Sequence, residues 1–342
     1  MKYINHRGYV ACVLFLLLFG AVSVYRSCSS RSAYRCNEGF IFGTVYHMTY
    51  RHDTDLQPAV AGLLQRFDRS LSPFNPASVI TAVNNNDTAV VPDDYFNTVF
   101  RRAKEIYKAT GGAFDPTLSP LINAWGFGFG QEGEVTPAVV DSLLQFVGMD
   151  KISLSDGRVV KADPRLSLNF SAIAKGYACD VVAAFLEEQG VGDYLVEIGG
   201  EVVARGRNPR GEAWQVGIDR PLADGSGAAG GIECVVSIAR GAVATSGNYR
   251  NYRYVGGRRV AHTIDPVSGS PVEHALLSAT VIAPDCMTAD AYATAFMVMG
   301  ADRGMQLAAA TPGIEAFFIS AAEGDTARYD VVMTPGMESY LK

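Results

Sequence analysis

No two cysteines in this chain are spaced to share a metal ion. Cys12 and Cys28 lie near the N-terminus, and Cys36, Cys179, Cys234 and Cys286 stand singly. Without a Cys-x-x-Cys pair a zinc site is not expected, and Cys179 and Cys286, in apolar helical contexts, read as core. Positive charge is scarce too: 29 Lys and Arg against 35 Asp and Glu give a net charge of −6, and no basic tract occurs. That balance argues against nucleic acid as a partner, and an anionic ligand would need local positive charge or a metal ion. Repeats, low-complexity blocks, a Rossmann fingerprint and a P-loop lysine are all missing.

One long apolar run exists. Lys2 and Arg7 precede an uncharged stretch over 9–24, and Arg26-Ser27-Cys28 follows. The run is short for a membrane span and suits the apolar region of an export signal. A small residue directly before Cys28 suits lipoprotein processing, which would leave Cys28 lipidated at a new N-terminus. Tyr25 and Arg26 fit that cleavage box poorly, so an uncleaved N-terminal anchor is the alternative. Both readings put the body of the protein outside the cytoplasm. Loss of residues 1–27 removes Lys2, Arg7 and Arg26 and no acid, moving the charge from −6 to about −9. Residues 28–38 read as a lipidated tether, and 39–342 as one large catalytic domain with two lobes.

Periodicity predicts strands over 40–50, 193–205, 213–219, 232–245, 251–264 and 276–283, with a closing pair over 313–333. Helices are expected at 57–71, 92–109, from Thr136-Pro137 to about Gly148, from about Ser171 to Gln189, and at 286–299 and 301–310. Short strands within 151–168 meet at a Ser155-Asp156-Gly157 turn. The Gly/Pro-rich stretch 221–231 reads as a surface loop. Strands and helices mix without a βαβ rhythm, so the fold class is α+β.

Several segments are hard to explain as scaffold alone. Thr288-Ala-Asp290-Ala-Tyr-Ala-Thr294 sets a carboxylate and a hydroxyl four residues apart, on one helix face. Hard oxygen donors at that spacing suit Mg²⁺, which fills its remaining positions with water or phosphate oxygens. His262-Thr-Ile-Asp265-Pro puts an imidazole near a carboxylate, making His262 the best candidate general base. Asn169-Phe-Ser-Ala-Ile-Ala-Lys175 runs into a helix start that could cradle phosphate oxygens, although an ordinary strand–helix junction would look the same. Around Trp125-Gly126-Phe127, glycines alternate with aromatics, as a flat ligand or a packed aromatic loop would require. Thr245-Ser246-Gly247-Asn248 could meet a ligand at a strand end or simply form a turn. Glu197-Ile-Gly199-Gly200-Glu201 combines an inward acid with glycines, reading either as close backbone approach to a ligand or as a β-bulge.

These segments occur in a telling order. Gly-Gly-Ala-Phe-Asp-Pro, Ser-Ala-Ile-Ala-Lys-Gly-Tyr-Ala-Cys-Asp, Glu-Ile-Gly-Gly-Glu, Thr-Ser-Gly-Asn-Tyr, His-Thr-Ile-Asp-Pro-Val-Ser-Gly and Thr-Ala-Asp-Ala-Tyr-Ala-Thr-Ala follow one another along the chain. Together they resemble the ApbE family, the FAD:protein FMN transferases, from about residue 40 to 335. The resemblance implies a tunnelling-fold-like core with FAD held in a cleft beside Mg²⁺, and export with a lipid anchor at the periplasmic face of the inner membrane.

Position by position, it implies Asp290, Thr294 and the carbonyl of Ala172 as metal ligands. Asn169 and Lys175 would contact FAD, Lys175 near the pyrophosphate. Trp125, Gly126, Phe127 and Ile264 would line the dinucleotide slot, with Ser246 at the ligand. His262 and Asp265 would flank the reacting phosphate, and Asn75, in Ser72-Pro73-Phe74-Asn75-Pro76, would help enclose the ligand. Asn169 stands where the family commonly has Asp, and Ser-Pro-Phe-Asn departs from the usual pattern. The expected activity is transfer of FMN from FAD to a threonine of an acceptor flavoprotein, such as a redox-pump subunit, with release of AMP. FAD pyrophosphatase activity is the second reading, and a non-catalytic lipid-anchored flavin binder a third.

Overall fold

The computed structural model describes residues 33–128, 135–221, 229–248, 252–255, 258–322 and 325–342. The signal segment, Cys28 and residues 29–32 of the expected tether lie outside them, as do 129–134, 222–228 and 249–251 from the segments singled out above.

The chain opens with β1 (Tyr34–Ile41), β2 (Thr44–Arg51), α1 (Gln57–Leu71), α2 (Val79–Asn84), α3 (Asp94–Ala109), α4 (Ser119–Ala124) and α5 (Pro137–Leu144). Its middle holds β3 (Ile152–Ser155), β4 (Arg158–Lys161), α6 (Ala174–Glu188), β5 (Tyr194–Ile198), β6 (Glu201–Arg205), β7 (Trp214–Pro221), β8 (Ala229–Ile238) and β9 (Arg240–Gly247). It closes with β10 (Tyr252–Val255), β11 (Arg258–Ala261), β12 (Leu276–Ala283), α7 (Cys286–Met299), α8 (Ala301–Ala310), β13 (Glu315–Ala322) and β14 (Asp325–Met333).

An eight-stranded sheet in the order β1-β2-β5-β6-β9-β12-β13-β14 forms the backbone of the fold, and each of its neighbouring pairs is antiparallel. The period of two sorts its side chains between two cores. Ala242, Ala244, Ala279, Val281, Ala316 and Phe318 face the helices in the main cluster. Val243, Ile282, Phe317 and Ile319 face the other way, against Ile218, Val236 and Ile238 of the β7–β8 hairpin. A third, smaller cluster joins Leu118, Leu121, Val140, Val147 and Ile264. The α+β class expected from the sequence is the one observed.

Helix α1 follows its pattern, burying Val60, Leu63, Leu64, Phe67 and Leu71 with Pro58 in its first turn. Asp93 caps α3 by accepting from Phe96 N at 2.9 Å. Helix α7 is different: apolar on nearly every side, it is the central buried rod between α6 and the sheet.

Several expectations need correction. The tether gives way to strand at Tyr34, because residues 34–41 pair along their whole length with β2. The strand expected over 40–50 is instead a hairpin turning at Phe42-Gly43, where φ is 53° and 74°. The strand expected over 232–245 breaks at Ala239, where the chain leaves β8 and joins the large sheet as β9, and that over 193–205 is interrupted by a turn at Gly199-Gly200, with φ of 64° and 104°. That is a two-residue hairpin turn, not a bulge. Helix α6 starts at Ala174 rather than near Ser171. The six-residue helices α2 and α4 were not anticipated, being too short to show a period.

Candidate active site

Helices α6 and α7 meet at Gly176. A Cβ there would lie 2.2 Å from the Cys286 carbonyl oxygen and 2.9 Å from Asp290 Cβ, so only glycine permits this approach. The contact lets Gly176 N donate to Asp290 Oδ2 at 3.0 Å. It also places Lys175 beside Asp290 and within ion-pair reach of Glu201 Oε1. Two acids hold the start of α7: Asp285 accepts from Thr288 N, and Asp180 accepts from Cys286 N and Met287 N, each at 2.8 Å.

The three charged groups form a knot in which both acids are buried and Lys175 is half-buried. Burial works against the Lys175 charge, but the Asp290 and Glu201 carboxylates outweigh it and hold its pKa above the usual lysine range. Burial raises Asp290 above the usual carboxylate range, with Lys175 and the Gly176 N–H pulling the other way. Glu201 is pushed up to about 7 by burial, with Lys175 opposing. Its second oxygen, Oε2, is buried and has no hydrogen-bond partner among the described residues.

These groups line a cleft of about 910 Å³. Asn169, Ala172, Lys175, Glu201, Ser246, Asp290 and Thr294 lie on its walls with Phe127, His262 and Ile264. Ser246 Oγ and Thr294 Oγ1 are 3.2 Å apart. Asn169 N donates to Pro116 O at 2.7 Å, tying the Phe-Asp-Pro segment to this wall, and Asn169 Oδ1 accepts from Ser171 N. His262 meets Phe127 edge to face, with ring centroids 6.3 Å apart. Asp115 also lines the cleft and accepts from the Thr117 backbone and hydroxyl. Burial pushes it up to about 6 against those bonds.

Four expected site residues sit outside the cleft lining, each occupied in local structure. Asn75 turns to Asp68, donating from Nδ2 to Oδ2 at 2.7 Å, while Oδ1 accepts from Ala77 N; its neighbours Pro73 and Phe74 reach the cleft instead. Trp125 Nε1 donates to the Gly269 carbonyl at 2.8 Å, bracing the loop after His262. Gly126 supplies the positive-φ turn after α4. Asp265 closes a turn, its Oδ1 accepting from Val267 N and its carbonyl from Gly269 N. Its carboxylate is a turn former, which puts it on the scaffold that carries His262. Glu201, in contrast, joins the site without having been singled out from Glu197 by the sequence. The signal was there in an acid opening the otherwise apolar run Glu201-Val-Val-Ala.

Asp290 and Thr294, one turn apart on α7, line the cleft together with Ala172. No group of three His, Cys, Asp or Glu side chains that could hold a metal occurs among the described residues. A cation here would therefore rely on one carboxylate, a hydroxyl and a carbonyl, leaving positions for substrate oxygens. The wall sets two buried acids against one lysine, and Glu201 Oε2 has no partner among the described residues. That donor set fits a small hard divalent cation.

The ApbE family profile matches residues 42–318. The chain belongs to the ApbE family. A relative from Haemophilus influenzae named FAD:protein FMN transferase is 35% identical over 286 residues, covering 79% of this chain and 82% of that protein. One of the same name from Escherichia coli K12 is 31% identical over 318 residues, covering 89% and 88%. Among ApbE structures, the flavin transferase from Vibrio cholerae aligns with a TM-score of 0.80 at 30% identity, covering 91% of this chain and 100% of that one. The apo flavinyl transferase from Pseudomonas stutzeri aligns at 0.80 and 32% identity, covering 91% and 97%. The ApbE likeness thus extends through both walls of the cleft.

Proposed function

We propose that this protein is a Mg²⁺-dependent FAD:protein FMN transferase that joins FMN through a phosphoester to an acceptor threonine and releases AMP. The observation carrying this reading is one cleft that holds the oxygen donors of α7, the Lys175–Glu201 pair and His262. Its volume of about 910 Å³ lies in the range of small-molecule and cofactor pockets. The names of its relatives support flavin transfer.

Asp290, Thr294 and the Ala172 carbonyl would hold Mg²⁺. When bound, the ion supplies charge stabilisation at the pyrophosphate. Lys175 offers its ammonium to the pyrophosphate oxygens, and Glu201 keeps that ammonium charged and aimed into the cleft. His262 accepts the proton of the threonine hydroxyl as its oxygen bonds to the FMN-side phosphorus. The bond from that phosphorus to the oxygen of the AMP phosphate breaks, and AMP departs. Phe127 backs the His262 ring, while the Trp125–Gly269 bond steadies its loop.

Hydrolysis of FAD to FMN and AMP is the second reading. Asn75 points to Asp68 and not to the cleft, which favours entry of water on that side. Purified protein with FAD, Mg²⁺ and an acceptor separates the readings. In-gel flavin fluorescence on the acceptor supports transfer, and FMN and AMP released without acceptor support hydrolysis. Tight FAD binding with no AMP release and no response to EDTA would overturn both.

A further inference from the structure

Strand register sets three ionisable side chains in one row across the sheet. Glu38 on β1 lies opposite His47 on β2, and His47 lies opposite Glu197 on β5. Tyr46 and Met48, on either side of His47, enter the main core, so the row faces away from the helices. The Glu197 carboxylate is held at both oxygens. Its Oε2 meets His47 Nδ1 at 2.8 Å, and its Oε1 accepts from Gly200 N at 2.6 Å. Exposed Glu38 adds a longer contact to His47 Nε2 at 3.6 Å.

An exposed ion pair across two strands contributes little by itself. Glu197 differs in what its second oxygen holds. Gly199 and Gly200 make the turn between β5 and β6, which the Ile198–Glu201 pair closes. A two-residue turn leaves the amide of its second residue outside the ladder, and Glu197 takes that amide. The same turn is part of the cleft wall, where Gly199, Gly200 and Glu201 stand with Lys175. A Cβ at Gly199 would come within 3.4 Å of Lys175 Cδ, so the turn backbone packs on the lysine stem. Glu201, the residue after the turn, forms the ion pair with the Lys175 ammonium. Any shift of the turn therefore moves both groups that hold the lysine.

We propose that Glu197 is a positioning residue for Lys175, fixing the Gly199-Gly200 turn from outside the cleft while His47 holds the Glu197 side chain in place. The inference rests on the reading of Lys175 as the pyrophosphate contact. Glu197 and His47 lie outside the cleft lining, so they act on the dinucleotide only through the turn and the lysine. The two acids of Glu-Ile-Gly-Gly-Glu thus divide the work. Glu201 pairs with the ammonium inside, and Glu197 braces the backbone outside.

The test measures FAD affinity by flavin fluorescence titration in Glu197→Ala, Glu197→Gln, Lys175→Met and the Glu197→Ala/Lys175→Met double variant. Glu197→Ala is expected to weaken FAD binding about tenfold. Glu197→Gln keeps an oxygen for the Gly200 amide and is expected to restore affinity to within about twofold of wild type. With Lys175 already Met, Glu197→Ala is expected to cost no more than about a further twofold, because the group it positions is gone. His47→Ala, at a position 53% exposed, guards against poor folding of Glu197→Ala and is expected to weaken binding about threefold. Equal losses from Glu197→Ala with and without Lys175 overturn the proposal. So does a Glu197→Gln variant as weak as Glu197→Ala, or wild-type affinity in both Glu197→Ala and His47→Ala. If Lys175→Met itself binds FAD as wild type does, the pyrophosphate reading of Lys175 fails, and this inference with it.

Discussion

At the residue scale, the site depends on one ammonium set between two buried acids. Lys175→Met leaves Glu201 and Asp290 without their counter-charge, and should lower stability by on the order of 2 kcal/mol. Lys175→Met combined with Glu201→Leu should melt closer to wild type than Lys175→Met alone, a comparison that thermal unfolding makes directly. Asp290→Ala should cut Mg²⁺-dependent AMP release on the order of hundredfold or more, since several kcal/mol of charge stabilisation is at stake. Circular dichroism should show its fold retained; turnover equal to wild type would reject the donor assignment. His262→Ala should lower the chemical rate about 10²- to 10⁴-fold while FAD affinity changes only a few-fold. Equal losses in both would remove the base role. The sequence marked Asp290, Thr294 and His262 because side-chain chemistry at short spacing is local information. It does not show that Asn75 and Asp265 also accept from backbone N–H groups two residues on.

At the element scale, the crossing of α6 and α7 at Gly176 sets the position of Asp290. Gly176→Ala would drive a methyl into the Cys286 carbonyl, which is backbone and cannot swing aside. A loss of about 1–3 kcal/mol in urea unfolding is expected, together with weaker Mg²⁺ binding. Gly62→Ala in α1, where only Arg66 Nη1 lies within 4 Å at 3.9 Å, should instead be neutral or mildly stabilising. Helices over 57–71, 286–299 and 301–310 were legible to the residue, because long apolar periods and end signals agree. The hairpin turns at 42–43 and 199–200 were hidden, because a two-residue turn does not interrupt an otherwise strand-like composition.

At the scale of the whole molecule, pH and location come into play. Buried Asp115 has a folded pKa of about 6 against the model-peptide 3.8. The folded state therefore holds a proton that the unfolded chain gives up, and stability contributed by this group falls as pH rises from 3.8 to about 6. Asp115→Asn should gain on wild type across that window, by on the order of 3 kcal/mol at its upper end. Urea unfolding at pH 4 and pH 7 reads the difference, and a constant gap between the two proteins would refute it. The proposed export and anchoring rest on Ser27-Cys28; Cys28→Ser should abolish incorporation of labelled fatty acid, and labelling retained in that variant would reject it.

The sequence by itself determined the period of each long element, the pair of oxygen donors a helical turn apart on α7, and an order of motifs that identifies the family. The periods, the donor pair and each single motif are written within a short stretch of chain. Only the tertiary structure decided that Lys175, Glu201 and Asp290 meet in one knot, and that Phe42, Phe67 and Ala174 wall a single pocket. The reason is physical: helix packing at a glycine and strand pairing across the sheet set those distances, and neither is encoded at any one stretch of chain.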